Sequence, residues 1–377
     1  MRIIFNEIKK VFNVKIIVLI MFISLIIYYL FISFNFRYFP NGRPNKDEYN
    51  ISVQMLKDYG TSMDKKEFLN FKELYNKQLE QADKYLKSKP EFVKSGMTTY
   101  KKLNSINMDN KKLSKLYDKV FFEDEVDMFW ELQVRSEIIA EYENINRYVS
   151  SLSKNQLERY HETIKNSSIT SIFPEFVFRN YNELINNVAM LIVLSIIIMV
   201  SPIFIKDSRN KVNYLQYTSN IGRKIFKTKL ITALISSFII ISVQLIGFFI
   251  LYSHNKVGMF FNTSINSVFS FNTSWYNISF IQYIVLTVVG IYIVGFAVTL
   301  IVTFISRLAP NYITLIGVQI PITFVILNIS SNYLLNSLTS TRFPKYLQPI
   351  AYSSLVCIGL ILIIFRWNKE KIIDIVN

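Results

Sequence analysis

Six long stretches of the chain contain no Asp, Glu, Lys or Arg: 16–36, 184–205, 230–253, 257–306, 308–341 and 346–365. A helix of about 20 apolar residues crosses about 30 Å of hydrocarbon, so each stretch is long enough to hold one. The stretch 257–306 is too long for a single helix. Its first part is rich in Asn, Ser and Thr, including Asn262, Thr263, Ser264 and Asn266, whereas apolar residues dominate 281–305. One span preceded by an uncharged polar loop is expected there, making six in all. Only 18% of the 377 residues are charged, against about 25% in soluble domains. The deficit falls in these stretches, which excludes an ordinary soluble enzyme. The first stretch lacks a small-residue cleavage site and exceeds the usual apolar core of a signal peptide. Phe34, Phe36, Tyr38 and Phe39 follow it as interface aromatics, so it reads as a retained helix.

The charges between the spans set an expected orientation. With the N-terminus in the cytoplasm, fifteen basic residues face inward: Arg2, Lys9, Lys10, Lys15, Lys206, Arg209, Lys211, Arg223, Lys224, Lys227, Lys229, Arg307, Arg366, Lys369 and Lys371. Only Lys256, Arg342 and Lys345 lie in the short outer loops. The positive-inside rule therefore predicts both termini in the cytoplasm. Residues 35–183 hold 24 Lys/Arg and 23 Asp/Glu, so nearly all of the formal charge of +15 belongs to the inner rim. Topology and anionic membrane lipid explain that distribution. Nucleic-acid binding needs a basic stripe on a folded face and is not expected.

The long insert between the first two spans reads as helical. Phe68, Phe71, Tyr75, Leu79, Ala82 and Leu86 recur at helical steps up to Pro90. Leu113, Leu116, Tyr117, Val120 and Phe121 mark a second helix, and Phe129, Trp130, Val134, Ile138, Tyr142, Ile145 and Val149 a third. These stripes are read as core. The insert has no cysteine, since Cys357 is the single one in the chain, so it must be held by packing. Glu123, Asp124, Glu125, Asp127 and Glu131 crowd together. Calcium-loop spacing with its glycine is missing, and an acidic helix start favoured by the backbone dipole is the simpler reading. Sequence does not place these carboxylates across a cleft, so glycosidase chemistry is not expected. With His161 and His254 as the only histidines, no metal site is expected.

Ion-coupled carriers keep ionisable groups at membrane depth, and the six stretches have none. Their interior polar residues are Gln244, Gln319 and Asn328, with Asn186 and Asn187 near the outer start of span two. No G-x-x-x-x-G-K-[ST], G-x-S-x-G or H-E-x-x-H sequence occurs, so neither ATP hydrolysis nor hydrolase chemistry is expected from this chain. Between spans two and three lies one substantial inner segment, 206–229, KDSRNKVNYLQYTSNIGRKIFKTK. Asp207 can cap a short helix there, with Val212, Leu215 and Tyr217 on an apolar side, and Gly222 breaks the chain before Arg223 and Lys224. It reads equally as a simple basic hairpin or as a docking element. At the N-terminus Ile3, Ile4, Ile8, Val11 and Phe12 form an apolar face opposite Lys9 and Lys10, which predicts an amphipathic helix on the inner leaflet.

This order of an N-terminal amphipathic helix with Glu7, Lys9 and Lys10, a first span, a large outer insert and the 206–229 loop resembles the permease subunit of six-span ABC-type exporters. The local motif is an acidic residue after span two, then Leu/Thr, Gly-Arg and a Lys opening span three. It is similar to Asp207, Leu215, Thr218, Gly222, Arg223 and Lys229. The acidic residue is Asp where Glu is commoner, and Ser208, Arg209 and Asn210 replace a glycine-rich stretch. The large insert is similar to permeases of antimicrobial-peptide export and bacteriocin immunity.

The resemblance implies an all-α polytopic bacterial membrane protein. An elbow helix would occupy 1–14, the first span 15–36, an extracellular helical domain 37–182, and spans two to six 183–377. It also implies that 206–229 docks on separate P-loop ATPase subunits carrying ATP and Mg, through Asp207, Leu215, Tyr217, Thr218, Gly222, Arg223, Lys224 and Lys229. A second permease copy or a related permease would complete a cavity for an amphiphilic peptide, lipid or drug, with Gln244, Gln319 and Asn328 lining it. Pro202 and Pro321 are expected to bend spans two and five. A membrane sensor whose outer domain binds a ligand is the alternative of a different class.

Overall fold

The computed structural model describes residues 2–124, 126–145, 152–210, 222–270 and 272–371. Among these residues there is no β-strand, only isolated bridges such as Ser62 to Ser171. Six helices are long and apolar enough to cross a membrane: Val14–Arg37, Glu175–Arg209, Ile225–Asn255, Phe280–Leu308, Tyr312–Leu335 and Leu347–Glu370. The ends of five of them reach beyond the uncharged stretches, all but Tyr312–Leu335. Span two takes in Arg179, Glu183, Lys206 and Asp207, and span three takes in Lys227 and Lys229. Charge is thus absent from the middles of the spans but not from their ends.

The chain divides into two compact units, the first made of Met1–Arg37, Asn180–Lys256 and Gln282–Asn377. Span two is its central helix: 78% of its most apolar stretch is buried, against 17% for span one. Spans one, three, five and six keep large side chains such as Phe22, Phe238, Phe324 and Ile361 exposed. Tight packing within the unit uses small residues. A Cβ added at Gly295 of span four would lie 2.6 Å from Cδ1 of Ile241 in span three and 3.1 Å from Cδ1 of Ile196 in span two. Hydroxyl and amide groups bridge the spans where such close approach occurs. Thr299 Oγ1 donates to Ser237 Oγ at 2.7 Å, Gln244 Nε2 to Ser195 Oγ at 2.8 Å, and Tyr283 Oη to Asn182 Oδ1 at 2.6 Å. Span one contains a π-helical turn, Tyr28–Ile32, which loosens the usual bonding of its carbonyls. Asn187 Nδ2 donates to Phe31 O there at 3.1 Å.

Pro202 divides span two. The helix Glu175–Val200 ends, Ser201 intervenes, and Pro202–Arg209 continues. Proline has no N–H to give to the preceding turn, so the backbone there needs other partners. Pro321, by contrast, lies inside the unbroken helix Tyr312–Ile329.

The second unit comprises Tyr38–Arg179 and Val257–Ile281. Its longest helix, Lys65–Ser88, begins with a reciprocal capping box in which Asp64 accepts from Glu67 N while Glu67 accepts from Asp64 N. It ends just before Pro90, as the sequence spacing predicts. Lys111–Asp118 follows, then a π-helical turn Lys119–Glu123, and Asp127–Glu143 forms the third helix read from the sequence. Val149 lies outside the described residues. Phe71, Val134 and Ile138 sit in one buried cluster, and Leu86, Phe121, Phe129 and Trp130 in another. Trp130 Nε1 donates to Phe121 O at 2.9 Å, and Phe68 stacks on Tyr142 with ring centres 4.0 Å apart. In the acidic crowd Asp127 occupies a first helical turn and pairs with Arg43, while Glu125 lies outside the described residues.

The polar segment 257–281, read from composition as a loop before span four, packs into this second unit. Val268 N donates to Ile169 O at 2.8 Å, Ser267 Oγ to Ser171 O at 2.6 Å, and Arg159 Nε to Ser274 O at 2.9 Å.

Candidate functional site

Both stems of the 206–229 loop enter one buried group of charges. Asp207, near the end of span two, is 5% exposed, and Lys229, near the start of span three, is 1% exposed. Lys229 Nζ donates to Asp207 Oδ2 and to Ile203 O, each at 2.6 Å. The second bond occupies a carbonyl beside the Pro202 break. Ser306 Oγ of span four donates to Ser201 O at 2.6 Å, so two carbonyls flanking Pro202 are held by side chains of other spans. Ser201 Oγ in turn donates to Gln319 Oε1 of span five at 2.9 Å.

The helix Arg2–Val11 and span six extend this arrangement. Lys10 pairs with the buried Glu7 of its own helix and stands 3.9 Å from Asp207. In this helix Glu7 and Val11 are the buried residues, while Ile3 and Phe5 are exposed. The face the helix turns to the protein thus carries the Glu7 carboxylate beside Val11. At the end of span four, Arg307 Nε donates to Glu370 Oε1 at 2.6 Å and its Nη2 to Glu370 Oε2 at 3.0 Å. Arg366 Nη2 shares the same carboxylate at 2.7 Å. The Phe204 ring is near both charge groups, with Lys229 Nζ 4.9 Å and the Arg307 guanidinium 5.7 Å from its centre. Phe226 stacks on Phe204 and on Trp367 at 5.5 and 5.9 Å. Buried charges of opposite sign that also satisfy backbone carbonyls hold one geometry, because separating them leaves a charge unpaired in a poorly solvated place.

Of the residues expected to contact an ATPase, Asp207 and Lys229 are brought together. They form the buried base of the loop and present no contact surface. Lys224 is exposed. Gly222 adopts φ +47° at the start of a short 3-10 turn, Gly222–Lys224, a left-handed conformation that suits glycine. Leu215, Tyr217 and Thr218 lie outside the described residues, as does the side chain of Arg223. Of the residues expected in an elbow helix, Glu7 and Lys10 join the charge group, whereas Lys9 is exposed with its Nζ 4.7 Å from the Phe5 ring centre. The three amides expected to line a cavity do not gather within one chain. Gln244 lines an apolar groove, Gln319 is buried against Ser201, and Asn328 is exposed and accepts from Asn332.

Glu370 and Phe204 were not singled out by sequence reasoning, and Arg307 was marked only as one of the inner basic residues. Glu370 carried a faint signal as a lone acidic residue within the basic run Arg366, Lys369 and Lys371, four residues after Arg366.

The second unit holds another group that sequence did not reveal. Glu48, Glu137, Glu141 and Glu175 line a cavity of about 120 Å³ together with Phe173 and Phe269. Burial pushes the Glu48 carboxyl up to about 7, helped by the negative charges of Glu175 and Glu137 and opposed by Arg179. Burial pushes Glu141 up to about 8, with Glu48, Glu137 and Glu175 adding to it. Glu175 is itself paired with Arg179 at 3.1 Å. Among the described residues no group of three or more acidic, histidine or cysteine side chains has a metal-holding arrangement.

No family model matches the chain, and neither does any curated protein or solved structure.

Proposed function

We propose that this chain is the membrane-spanning half of an ATP-driven exporter, moved by separate P-loop ATPase subunits that carry ATP and Mg. In this reading the protein lies in a bacterial cell membrane with both termini in the cytoplasm. The 38–179 segment is extracellular, and a second permease copy or a related permease completes the transport path. The cargo is an amphiphilic peptide, lipid or drug, since the span middles offer apolar side chains and neutral amides and no fixed charge.

The observation that carries the proposal is the clamp at the base of 206–229. Asp207 and Lys229 join the two stems of the loop in a buried ion pair that also grips the backbone beside Pro202 in the central span. A push on the loop from a docked ATPase therefore acts on span two directly. The ties through Phe204 and Arg307 to Glu370 would spread it to spans four and six. The helix Arg2–Val11 would follow through Lys10 as the elbow. A chain without a P-loop sequence, whose span middles carry no charge, fits such an external drive.

Affinity purification of the full chain from its native host, with mass spectrometry of retained partners, tests the proposal. A P-loop ATPase is expected among them. Recovery of the chain with a histidine kinase and no ATPase would overturn the exporter reading and favour a sensor.

A further inference from the structure

A cleft of about 380 Å³ opens among the N-terminal helix, the start of span one, the end of span two and the start of span five. Four cations line it: Lys10, Lys15, Lys206 and Arg209. Its two carboxylates already have partners, Glu7 in Lys10 and Asp207 in Lys229. Lys15, Lys206 and Arg209 are exposed and form no ion pair among the described residues. The cleft thus presents uncompensated positive charge.

Val11, Ile16 and Met199 line this cleft and also an apolar groove of about 570 Å³ bordered by spans one, two and three. The groove continues along span three past Ile240 and Val243 to Phe248 and Leu251, and along span one to Ile32 and Phe36. Ile240 lies eleven helical residues beyond Lys229, a rise of about 16 Å. The part of the groove up to Ile240 therefore covers about half of a 30 Å hydrocarbon core, the depth that one leaflet's acyl chains reach, and the remainder runs into the other half.

We propose that cleft and groove together form a binding site for one phospholipid with an anionic headgroup. The phosphate lies among Lys15, Lys206 and Arg209, where charge-assisted hydrogen bonds hold it. An acyl chain lies along Ile16, Met199 and Ile240. Charge complementarity together with the continuity of the cationic cleft and the apolar groove selects a lipid over a free anion, which would fill only the cleft, and over an apolar helix, which would leave the cations unmatched. The proposal requires that the chain span a bilayer and does not depend on an ATPase.

The full chain in nanodiscs of phosphatidylcholine with a minor fraction of phosphatidylglycerol, released for native mass spectrometry, provides the test. One retained phosphatidylglycerol per chain is expected, favoured about tenfold over phosphatidylcholine after correction for abundance, equivalent to about 1.4 kcal/mol. Replacing the exposed cations together, as Lys15→Gln, Lys206→Gln and Arg209→Gln, abolishes that preference. Ile240→Trp fills the groove and lowers retention while the cations remain. Val243→Trp, at a position 60% exposed, serves the same purpose if the first replacement perturbs folding. Inorganic phosphate in excess leaves the lipid bound. Equal retention of the two lipids, displacement by inorganic phosphate, or groove variants that split a chain dimer without changing lipid content would each overturn the proposal.

Discussion

Lys229 and Asp207, twenty-two positions apart in sequence, meet at 2.6 Å with both side chains buried, and so close the base of the loop that separates them. Removing one partner leaves an unpaired buried charge, which costs about 3–5 kcal/mol, whereas replacing both with apolar residues is often neutral. Lys229→Met is therefore expected to lower thermal stability strongly. Adding Asp207→Leu to it should recover most of the loss. Thermal unfolding of the full chain in nanodiscs checks this; equal melting of single variant and wild type would show that the pair is not buried as described.

The carboxylate of Glu370 is shared by Arg307 and Arg366 and is 2% exposed. Glu370→Gln keeps the shape but removes the charge that two guanidinium groups face, so a destabilisation of about 2–3 kcal/mol is expected. A further change of Arg307→Met should reduce that penalty, because one unpaired cation disappears. A double-mutant cycle by denaturation measures the coupling.

Two glycines within spans should respond oppositely to substitution. Gly295 has Ile241 and Ile196 within contact of any added Cβ, so Gly295→Val is expected to cost about 1–3 kcal/mol through overpacking. Gly247 has nothing within 4 Å of that position, so Gly247→Ala should be neutral or stabilise by up to about 1 kcal/mol. Melting temperatures of the two variants give the comparison.

The glutamate cavity makes the second unit sensitive to pH in a defined direction. Glu48 and Glu141 hold their protons up to about 7 and about 8 in the folded chain, against 4.5 for the unconstrained carboxyl. Between these values the unfolded chain binds fewer protons than the folded one, so stability falls as pH rises from about 5 to 8 and then levels off. Allowing for solvent screening of these half-buried groups, the loss is on the order of 1 kcal/mol. Glu48→Gln with Glu141→Gln should flatten the dependence. Trp130 and Trp275 belong to this unit, so fluorescence melting in a Trp367→Phe background reports it.

The six membrane-length helices were legible because each needs only a long run without charge, a property of one segment at a time. The helices Lys65–Ser88 and Asp127–Glu143 were legible for a related reason, since their apolar residues repeat along a single face. What depends on distant segments was hidden. Asp207 and Lys229 were each marked by the resemblance, but their mutual contact and their grip on the Pro202 break follow only from how spans two and three pack. Glu370 resembled the rest of a basic tail. The four glutamates of the cavity come from three separate helices, and only Glu137 and Glu141, one turn apart, share one. Residues 257–281 showed by their polarity that they were not a span, yet their partners Ile169 and Ser171 stand about a hundred residues earlier.

The most direct test of an externally driven permease uses the apolar clamp variant, Asp207→Leu with Lys229→Met, in the complex copurified from the host. ATP hydrolysis and cargo movement are measured together in proteoliposomes against the wild type. The account predicts that the variant still retains its ATPase but that cargo movement per ATP falls at least about tenfold, equivalent to about 1.4 kcal/mol of lost coupling. Cargo movement by the isolated chain without any ATPase, or unchanged coupling in the variant, would contradict it.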